Sequence, residues 1–325
     1  MNDILVSISC LTYNHERYIH DAIESFFMQK TNFKYEILIH DDASSDRTVE
    51  IIKDYEKKYP DLIKPIYQTE NQFSKEILVD EFNVKRAKGK YIAVCEGDDY
   101  WLDPYKLQKQ VDFMENHPEC SLCVHAGYVV SAKDKKILRH NRPSRTSRYL
   151  QVEEVIGQGG DFFVTNSMFY RTQLDLERPR FFQIVPNITD YHLAINLALQ
   201  GKVYYMDEFL SAWRNGDDAS WTSSNMHHIA KKRAHYRQIA EMLDEINRYT
   251  NSQYEQVIKW KKDMTELELL IEERKFKEVK KGMYKELYSQ LGLKRKAMIW
   301  MDEYSPAVSN FLRQAKRSFV KWNMT

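Results

Sequence analysis

The chain has 325 residues and a formal net charge of +1, with 43% hydrophobic residues and a mean hydropathy of −0.62. This is the composition of an ordinary soluble protein, too long for one small domain. No run reaches the roughly 18 apolar residues that a membrane-spanning helix needs, and the four cysteines lie in apolar, strand-like contexts that argue against a disulfide-stapled secreted fold.

Charge is distributed unevenly along the chain. Residues 226–325 contain 21 Lys and Arg against 13 Asp and Glu, a net charge of +8, whereas residues 1–225 carry a net charge of −7. Glycine and proline become rare in the basic part, and helical spacing of apolar residues dominates there. We therefore predict a first domain over 1–225 and a helical region over 226–325, with the boundary near Asn225.

About the first 115 residues alternate between strand-like and helix-like hydrophobic spacing, which is typical of βα units in a parallel sheet. The predicted elements are, in order, a strand over Ile4–Leu11, a helix over Arg17–Gln29, a strand over Tyr35–His40, a helix that Asp46 caps, a strand over Leu62–Tyr67, a helix over Ile77–Ala87, a strand over Tyr91–Cys95 and a helix that Asp103 and Pro104 open. The mixed pattern up to residue 202 indicates an irregular α+β half. Its predicted elements are strands over Leu122–Val130 and Phe162–Tyr170, a helix over Asp190–Leu199 and a strand over Val203–Met206.

Polar clusters follow the carboxyl ends of three predicted strands, at Thr12–Asn14, Asp41–Asp42 and Glu96–Asp99. In an open α/β sheet, ligands bind at that edge. A carboxylate pair at the end of a buried strand is costly unless something neutralises it, and a hard divalent cation that holds phosphate oxygens is the usual answer. The alternative is that Asp41–Asp46 forms a turn with a helix cap and that Asp98 and Asp99 lie in an exposed acidic loop.

Three strings carry these clusters, namely VSISCLTYNHERYIHDAIES, YEILIHDDASSDRT and AKGKYIAVCEGDDYWLDPYKLQKQ. Their order and spacing resemble the family 2 glycosyltransferases of the GT-A fold. Two later pieces, at 188–191 and within 212–221, look like that family's acidic and Arg-containing motifs. The resemblance implies an α/β fold with a Rossmann-like, mostly parallel sheet flanked by helices, followed by a C-terminal α-helical region.

The resemblance also implies roles for the first clusters. Tyr13 and Asp42 would hold the nucleobase of a sugar nucleotide, with Thr12 and Asn14 in the same nucleotide-binding loops. Asp98 would meet the ribose.

The acidic loop and the later motifs carry the implied chemistry. Asp99 would bind Mg²⁺ or Mn²⁺ at the diphosphate, although Glu96 stands where the family usually has an aspartate. Asp190 sits at the position of the general base, and Trp213 and Arg214 lie in a segment that contacts the diphosphate or acceptor in relatives. Asp190 is also well placed to cap a helix, and Arg214 is equally consistent with a structural ion pair.

Two further patterns have weaker interpretations. His117, Cys120, Cys123 and His125 have metal-ligand chemistry, but one CxxC without a second pair favours buried thiols over a zinc site. In 305–322, apolar residues at helical spacing alternate with Arg and Lys, as in a helix that lies on an anionic membrane. Such a helix can equally pack on its own domain or on a second subunit.

These observations predict an inverting, metal-dependent glycosyltransferase that transfers a sugar from a nucleotide sugar, most simply a UDP-sugar, to a glycan or lipid-linked acceptor in capsular or other surface polysaccharide synthesis. Alternatives are a nucleotidyltransferase, although the loop after the first strand lacks its usual glycines, and a catalytically silent nucleotide-sugar or glycan-binding subunit. We expect a cytoplasmic protein with no nucleic-acid partner. A homo-oligomer is one possible arrangement, and contact of 305–322 with the inner face of the cell membrane is another.

Overall fold

The computed structural model of this chain describes residues 4–184, 189–216 and 228–309. The strands are β1 (Ile4–Thr12), β2 (Lys34–Asp41), β3 (Ile63–Tyr67), β4 (Tyr91–Val94), β5 (Tyr100–Trp101), β6 (Cys120–Ser131), β7 (Ile137–Asn141), β8 (Arg148–Leu150), β9 (Phe169–Arg171) and β10 (Lys202–Asn215). The helices of this part of the chain are α1 (Ile19–Phe27), α2 (Thr48–Lys58), α3 (Glu81–Val84), α4 (Lys106–Asn116), α5 (Val152–Gln158), α6 (Phe181–Ile184), α7 (Thr189–Gln200), α8 (Ile229–Tyr249), α9 (Glu255–Glu272), α10 (Phe276–Val279), α11 (Tyr284–Gln290) and α12 (Leu293–Tyr304).

The strands form one mixed sheet in the order β3-β2-β1-β4-β9-β6-β10-β5, with β7 paired to β6 and β8 to β10. The neighbours β3, β2, β1 and β4 are parallel, as predicted. In the register of β1 and β2, Thr12 lies opposite Asp41. Because the carboxyl ends of parallel strands share one edge, the polar residues that follow β1, β2 and β4 come together there.

One face of this half is covered by α1 and α4. Their predicted apolar stripes are buried against alternate residues of β1, namely Val6, Ile8 and Cys10. Arg47 rather than the predicted Asp46 directly precedes α2, but the Asp46 carboxylate accepts a hydrogen bond from the N–H of Thr48, the first helical residue, at 2.9 Å. Burial of these apolar faces fixes the strand ends that carry the site.

Three elements differ from the sequence prediction. Of the strand predicted over Phe162–Tyr170, only Phe169 and Tyr170 are in a strand, β9, and a 3₁₀ turn at Thr165–Ser167 precedes it. The helix predicted over Ile77–Ala87 is reduced to the single turn of α3. In contrast, β10 is longer than predicted and runs parallel to β6.

The helices after residue 228 confirm the predicted C-terminal helical region. Apolar residues of α9 to α12 form a small core of their own, while α8 and the first part of α9 pack on the main core beside α5 and α7. No described helix is long and apolar enough to cross a membrane. The predicted domain boundary near Asn225 and most of the amphipathic stretch, residues 310–322, lie outside the described residues.

Candidate active site

The loops that follow β1, β2 and β4 are joined by backbone hydrogen bonds. The Asp42 N–H donates to the Thr12 carbonyl at 3.0 Å, and the Gly97 N–H donates to the Leu11 carbonyl at 2.8 Å. A Cβ at Gly97 would lie 2.6 Å from the Thr12 Oγ1, so only glycine allows the two loops to approach this closely. The three polar clusters therefore lie side by side at one edge of the sheet.

Asn14 connects the first loop to the second. Its backbone has a positive φ of 55°, its N–H donates to the Ser44 Oγ at 2.9 Å, and its Oδ1 accepts a hydrogen bond from the Ser45 N–H at 2.7 Å. Asparagine tolerates this backbone conformation better than most residues. Asn14 thus holds the loops together, while the neighbouring Tyr13 side chain is 45% exposed and accessible to a ligand.

The two aspartates that end β2 are both buried and hydrogen-bonded. Asp41 accepts hydrogen bonds from the N–H and the hydroxyl of Ser44, and burial raises the pKa of its carboxyl. Asp42 accepts hydrogen bonds from the N–H groups of Gln72 and Phe73 at 2.8 and 3.0 Å. The segment between β3 and α3 therefore covers the Asp42 carboxylate, a contact that the sequence did not indicate.

The two aspartates of the acidic loop have different surroundings. The Asp99 side chain is fully buried, and its oxygens accept hydrogen bonds from the Asn166 Nδ2 and the Arg214 N–H, both at 2.9 Å. Burial, followed by Asp98 and Glu96, raises the pKa of Asp99 well above its usual range. The Asp98 side chain is 24% exposed. Asp98 is therefore the aspartate of this pair that a ligand at the sheet edge can reach.

Asp190 lies in the first turn of α7 and close to the acidic loop. Its Oδ1 accepts a hydrogen bond from the Tyr191 N–H at 2.7 Å, and its Oδ2 accepts one from the Thr165 hydroxyl at 3.2 Å. Burial raises the pKa of Asp190, and burial together with Asp98 and Asp190 raises the pKa of Glu96 to about 8. The carboxylates of Glu96, Asp98 and Asp190 are thus close enough for their charges to interact. The hydrogen bond from Tyr191 also gives Asp190 a structural role at the start of the helix.

Arg214 is buried and takes part in structural contacts. Its guanidinium forms an ion pair with Asp21, a hydrogen bond to the Asp98 carbonyl, and cation–π contacts with Tyr18 and Tyr100. These contacts match the structural ion pair, and contact of Arg214 with a diphosphate stays a prediction. Trp213 is partly exposed, with the Arg139 guanidinium 5.7 Å from its ring centroid; its contact with an acceptor also stays a prediction.

Two residues beside the acidic loop were missed in the sequence. Asn166 is fully buried and connects Asp99 to the Ala212 carbonyl of β10, to which its Nδ2 donates at 2.9 Å. The His15 Nε2 lies 3.9 Å from the Asp98 Oδ2. The position of His15 directly after the Thr12–Asn14 cluster was an available signal, whereas Asn166 lies in a segment that was wrongly predicted as a strand.

The CxxC segment does not form a metal site. Cys120 and Cys123 are buried thiols, and the His117 Nδ1 lies 2.8 Å from the Phe113 carbonyl. Among the described residues, no group of three or more His, Cys, Asp or Glu side chains is arranged to hold a metal ion. Mg²⁺ and related cations are, however, commonly bound by one or two carboxylates together with substrate phosphates. The oxygen donors of Asp98 and Glu96 fit a cation of that kind.

The family model for glycosyl transferase family 2 matches residues 7–175, which is just over half of the chain. The chain belongs to this family. Its relatives include Rv1520 of Mycobacterium tuberculosis, an uncharacterised protein that is 35% identical over 224 residues, 67% of this chain and 61% of the relative. The glycosyltransferase TuaG of Bacillus subtilis, named for teichuronic acid biosynthesis, is 30% identical over 233 residues, 70% of this chain and 85% of TuaG.

Solved structures share the glycosyltransferase fold. Staphylococcus aureus TarS residues 1–349 in complex with UDP has a TM-score of 0.55 at 17% identity. The matched region covers 92% of this chain and 79% of the TarS chain. The mannosyltransferase PcManGT of Pyrobaculum calidifontis, in complex with GDP-Man and Mn²⁺, has a TM-score of 0.51 at 13% identity, with 95% and 84% covered. The predicted GT-A fold with a C-terminal helical region is therefore confirmed.

Proposed function

We propose that this family 2 glycosyltransferase transfers a sugar from a nucleotide sugar, with a UDP-sugar as the first candidate, to a hydroxyl of a glycan or lipid-linked saccharide in surface polysaccharide synthesis. The proposal depends on one observation above all. Asp98 and Asp190 both raise the pKa of the Glu96 carboxyl, and the loop that carries Glu96 and Asp98 lies at the sheet edge where ligands bind in open α/β folds. TuaG, which is named for teichuronic acid biosynthesis, and the neighbours bound to UDP or GDP-Man support the substrate class.

The nucleotide would bind across the loops that follow β1 and β2. The exposed Tyr13 ring would stack on the base. A hydrogen bond from the base to Asp42 stays a prediction, because the Gln72 and Phe73 amides already donate to both oxygens of that carboxylate. Thr12 supplies a buried hydroxyl that has no hydrogen-bond partner among the described residues, and Asn14 keeps the loops in register. A buried polar atom without a partner is costly, which favours a ligand contact at Thr12.

The metal would bind at the acidic loop. From the resemblance, Asp98 would contact the ribose and Asp99 would bind the metal, and both roles stay predictions. The geometry favours different roles for these two residues. We assign the metal contact to Asp98, because it is exposed, and a supporting role to Asp99, because Asn166 and the Arg214 N–H occupy its oxygens. A bound Mg²⁺ or Mn²⁺ neutralises charge on the departing nucleoside diphosphate.

Asp190 would take the proton from the acceptor hydroxyl as that hydroxyl attacks the anomeric carbon. Burial raises the pKa of Asp190, so its carboxylate is a stronger base than that of a surface aspartate. A single displacement of this kind inverts the anomeric configuration. It needs no covalent nucleophile.

The first experiment measures binding of UDP, GDP, CDP and ADP by calorimetry with and without Mn²⁺, in the wild type and in Asp190→Asn. We expect metal-dependent binding of one nucleotide that Asp190→Asn retains. Turnover of the matching nucleotide sugar should fall by about 100-fold or more in that variant, as is typical when a general base is lost. Absence of nucleotide binding would refute the proposal, and full turnover by Asp190→Asn would refute the role of Asp190.

A further inference from the structure

The helical region reaches the candidate active site through one glycine-rich segment. Residues 157–160 read Gly-Gln-Gly-Gly and connect the end of α5 to the turn that precedes Thr165. The first of these glycines, Gly157, packs on α9, where an added Cβ would lie 3.3 Å from Val257 and 3.6 Å from Trp260. The segment therefore begins in direct contact with the helical region.

Lys261 of α9 holds the middle of this segment. Its Nζ donates to the Gln158 carbonyl at 3.1 Å. Gly159 has a φ of +87°, and a Cβ added there would lie 2.7 Å from the Lys261 Nζ. The Lys261 amino group thus occupies the space that the missing side chain leaves. Burial lowers the pKa of Lys261, and the nearby carboxylates of Asp161 and Glu268 oppose this shift.

The far end of the segment lies against the predicted base. A Cβ on Gly160 would be 3.9 Å from each oxygen of Asp190. The turn is closed by a hydrogen bond from the Phe162 N–H to the Gly159 carbonyl at 3.1 Å, and Asn141 donates to the Asp161 carbonyl at 2.9 Å. One short, well-bonded turn therefore connects the Lys261 ammonium to the carboxylate of Asp190.

We propose that Lys261 is a positioning residue for Asp190, and that the helical region sets the acceptor side of the active site through the 158–161 turn. The inference rests on the proposed role of Asp190 as the base that meets the acceptor hydroxyl. A displacement of about 1 Å in such a group can cost on the order of 100-fold in rate, so the turn does not need to touch the substrate to matter. The proposed nucleotide contacts belong to the loops after β1 and β2, so nucleotide binding should not depend on Lys261.

The test compares Lys261→Met and Lys261→Arg with Lys262→Met. Lys262 is the next residue of α9, but its Nζ pairs with Asp244 of α8 at 2.6 Å, within the helical region. Each variant is measured for UDP affinity with Mn²⁺, for turnover of UDP-GlcNAc, UDP-glucose and GDP-mannose, and for amide hydrogen exchange. The Tyr191 amide reports on the carboxylate directly, because its N–H donates to the Asp190 Oδ1.

We expect Lys261→Met to lower turnover about 10- to 100-fold, to leave UDP affinity within about twofold, and to accelerate exchange in the 158–165 segment and at Tyr191. Lys261→Arg should restore most of both properties, since its guanidinium can still donate to the Gln158 carbonyl, and Lys262→Met should resemble the wild type. Unchanged exchange at Tyr191 in Lys261→Met overturns the proposal, as does full turnover despite faster exchange. If Asp190→Asn keeps full turnover, the role of Asp190 fails, while the exchange data still decide whether Lys261 orders the turn.

Discussion

The division of labour between the two aspartates of the acidic loop is the most direct test of the proposed site. Asp98→Asn removes a partly exposed carboxylate that accepts no hydrogen bond from a described side chain, so the free energy of unfolding should change by less than about 0.5 kcal/mol. Asp99→Asn turns one of two buried acceptors into an NH₂ group that faces a donor, from Asn166 or from the Arg214 N–H. An unsatisfied buried group of this kind costs about 1–3 kcal/mol.

For metal-dependent nucleotide binding the order reverses, so that Asp98→Asn should be the more affected variant. Loss of one charged contact at Asp98 should weaken UDP binding in the presence of Mn²⁺ by about 1.5–3 kcal/mol, which is roughly 10- to 150-fold. Asp99→Asn should retain that binding within a few-fold while its urea midpoint falls. Calorimetry of UDP with and without Mn²⁺, combined with urea denaturation, measures both quantities. A folded Asp99→Asn that has lost the metal effect, beside an Asp98→Asn that keeps it, would contradict the assignment.

Three further predictions concern single groups at the site. Gly160→Ala should fold normally, because the added methyl group makes only ordinary contacts. It should slow turnover, because the methyl group covers part of the Asp190 carboxylate, and turnover equal to that of the wild type in a steady-state assay would rule this out. Gly97→Ala should cost about 1–3 kcal/mol of unfolding free energy, because its Cβ collides with Thr12, whereas Gly292→Ala, with nothing within 4 Å, serves as the tolerated control in the same thermal melts. Glu96 has a folded pKa of about 8, above its ordinary value of 4.5, so the folded state binds this proton more tightly and loses stability as pH rises between those values. Glu96→Gln should therefore gain stability relative to the wild type from pH 5 to pH 8, and parallel urea curves at the two pH values would argue against it.

The parallel half of the fold was predictable because its information is local. In β1, β2 and β4, apolar runs of strand length are followed by polar residues, and helices with one apolar face separate them. Burial of those faces leaves one arrangement of the strand ends, which brings Thr12, Asp42 and Gly97 together. The side-by-side placement of these polar loops was therefore predictable from the sequence.

The irregular half was less predictable because distant residues decide its structure. The run Phe162–Tyr170 is apolar enough for a strand, but Asn166 within it is required at the side chain of Asp99, and the backbone forms a 3₁₀ turn there instead. Likewise, the sequence did not indicate that the Gln72 and Phe73 amides, in the segment before α3, donate hydrogen bonds to Asp42. Hydrophobic spacing does not encode such polar contacts between remote parts of the chain.

The neighbours of the glycine-rich turn at 157–160 were equally hard to predict from the sequence. In the sequence, Gly157, Gly159 and Gly160 indicate only that something approaches the backbone closely or that an unusual φ is needed. In the structure each glycine has a different neighbour, namely α9, the Lys261 ammonium and the Asp190 carboxylate. The residues that approach from the helical region lie about 100 positions further along the chain. Changes in α9 can therefore alter the surroundings of Asp190 while every residue of the recognisable motifs stays the same. If Asp190 is the base that we propose, acceptor preference should then vary independently of donor binding.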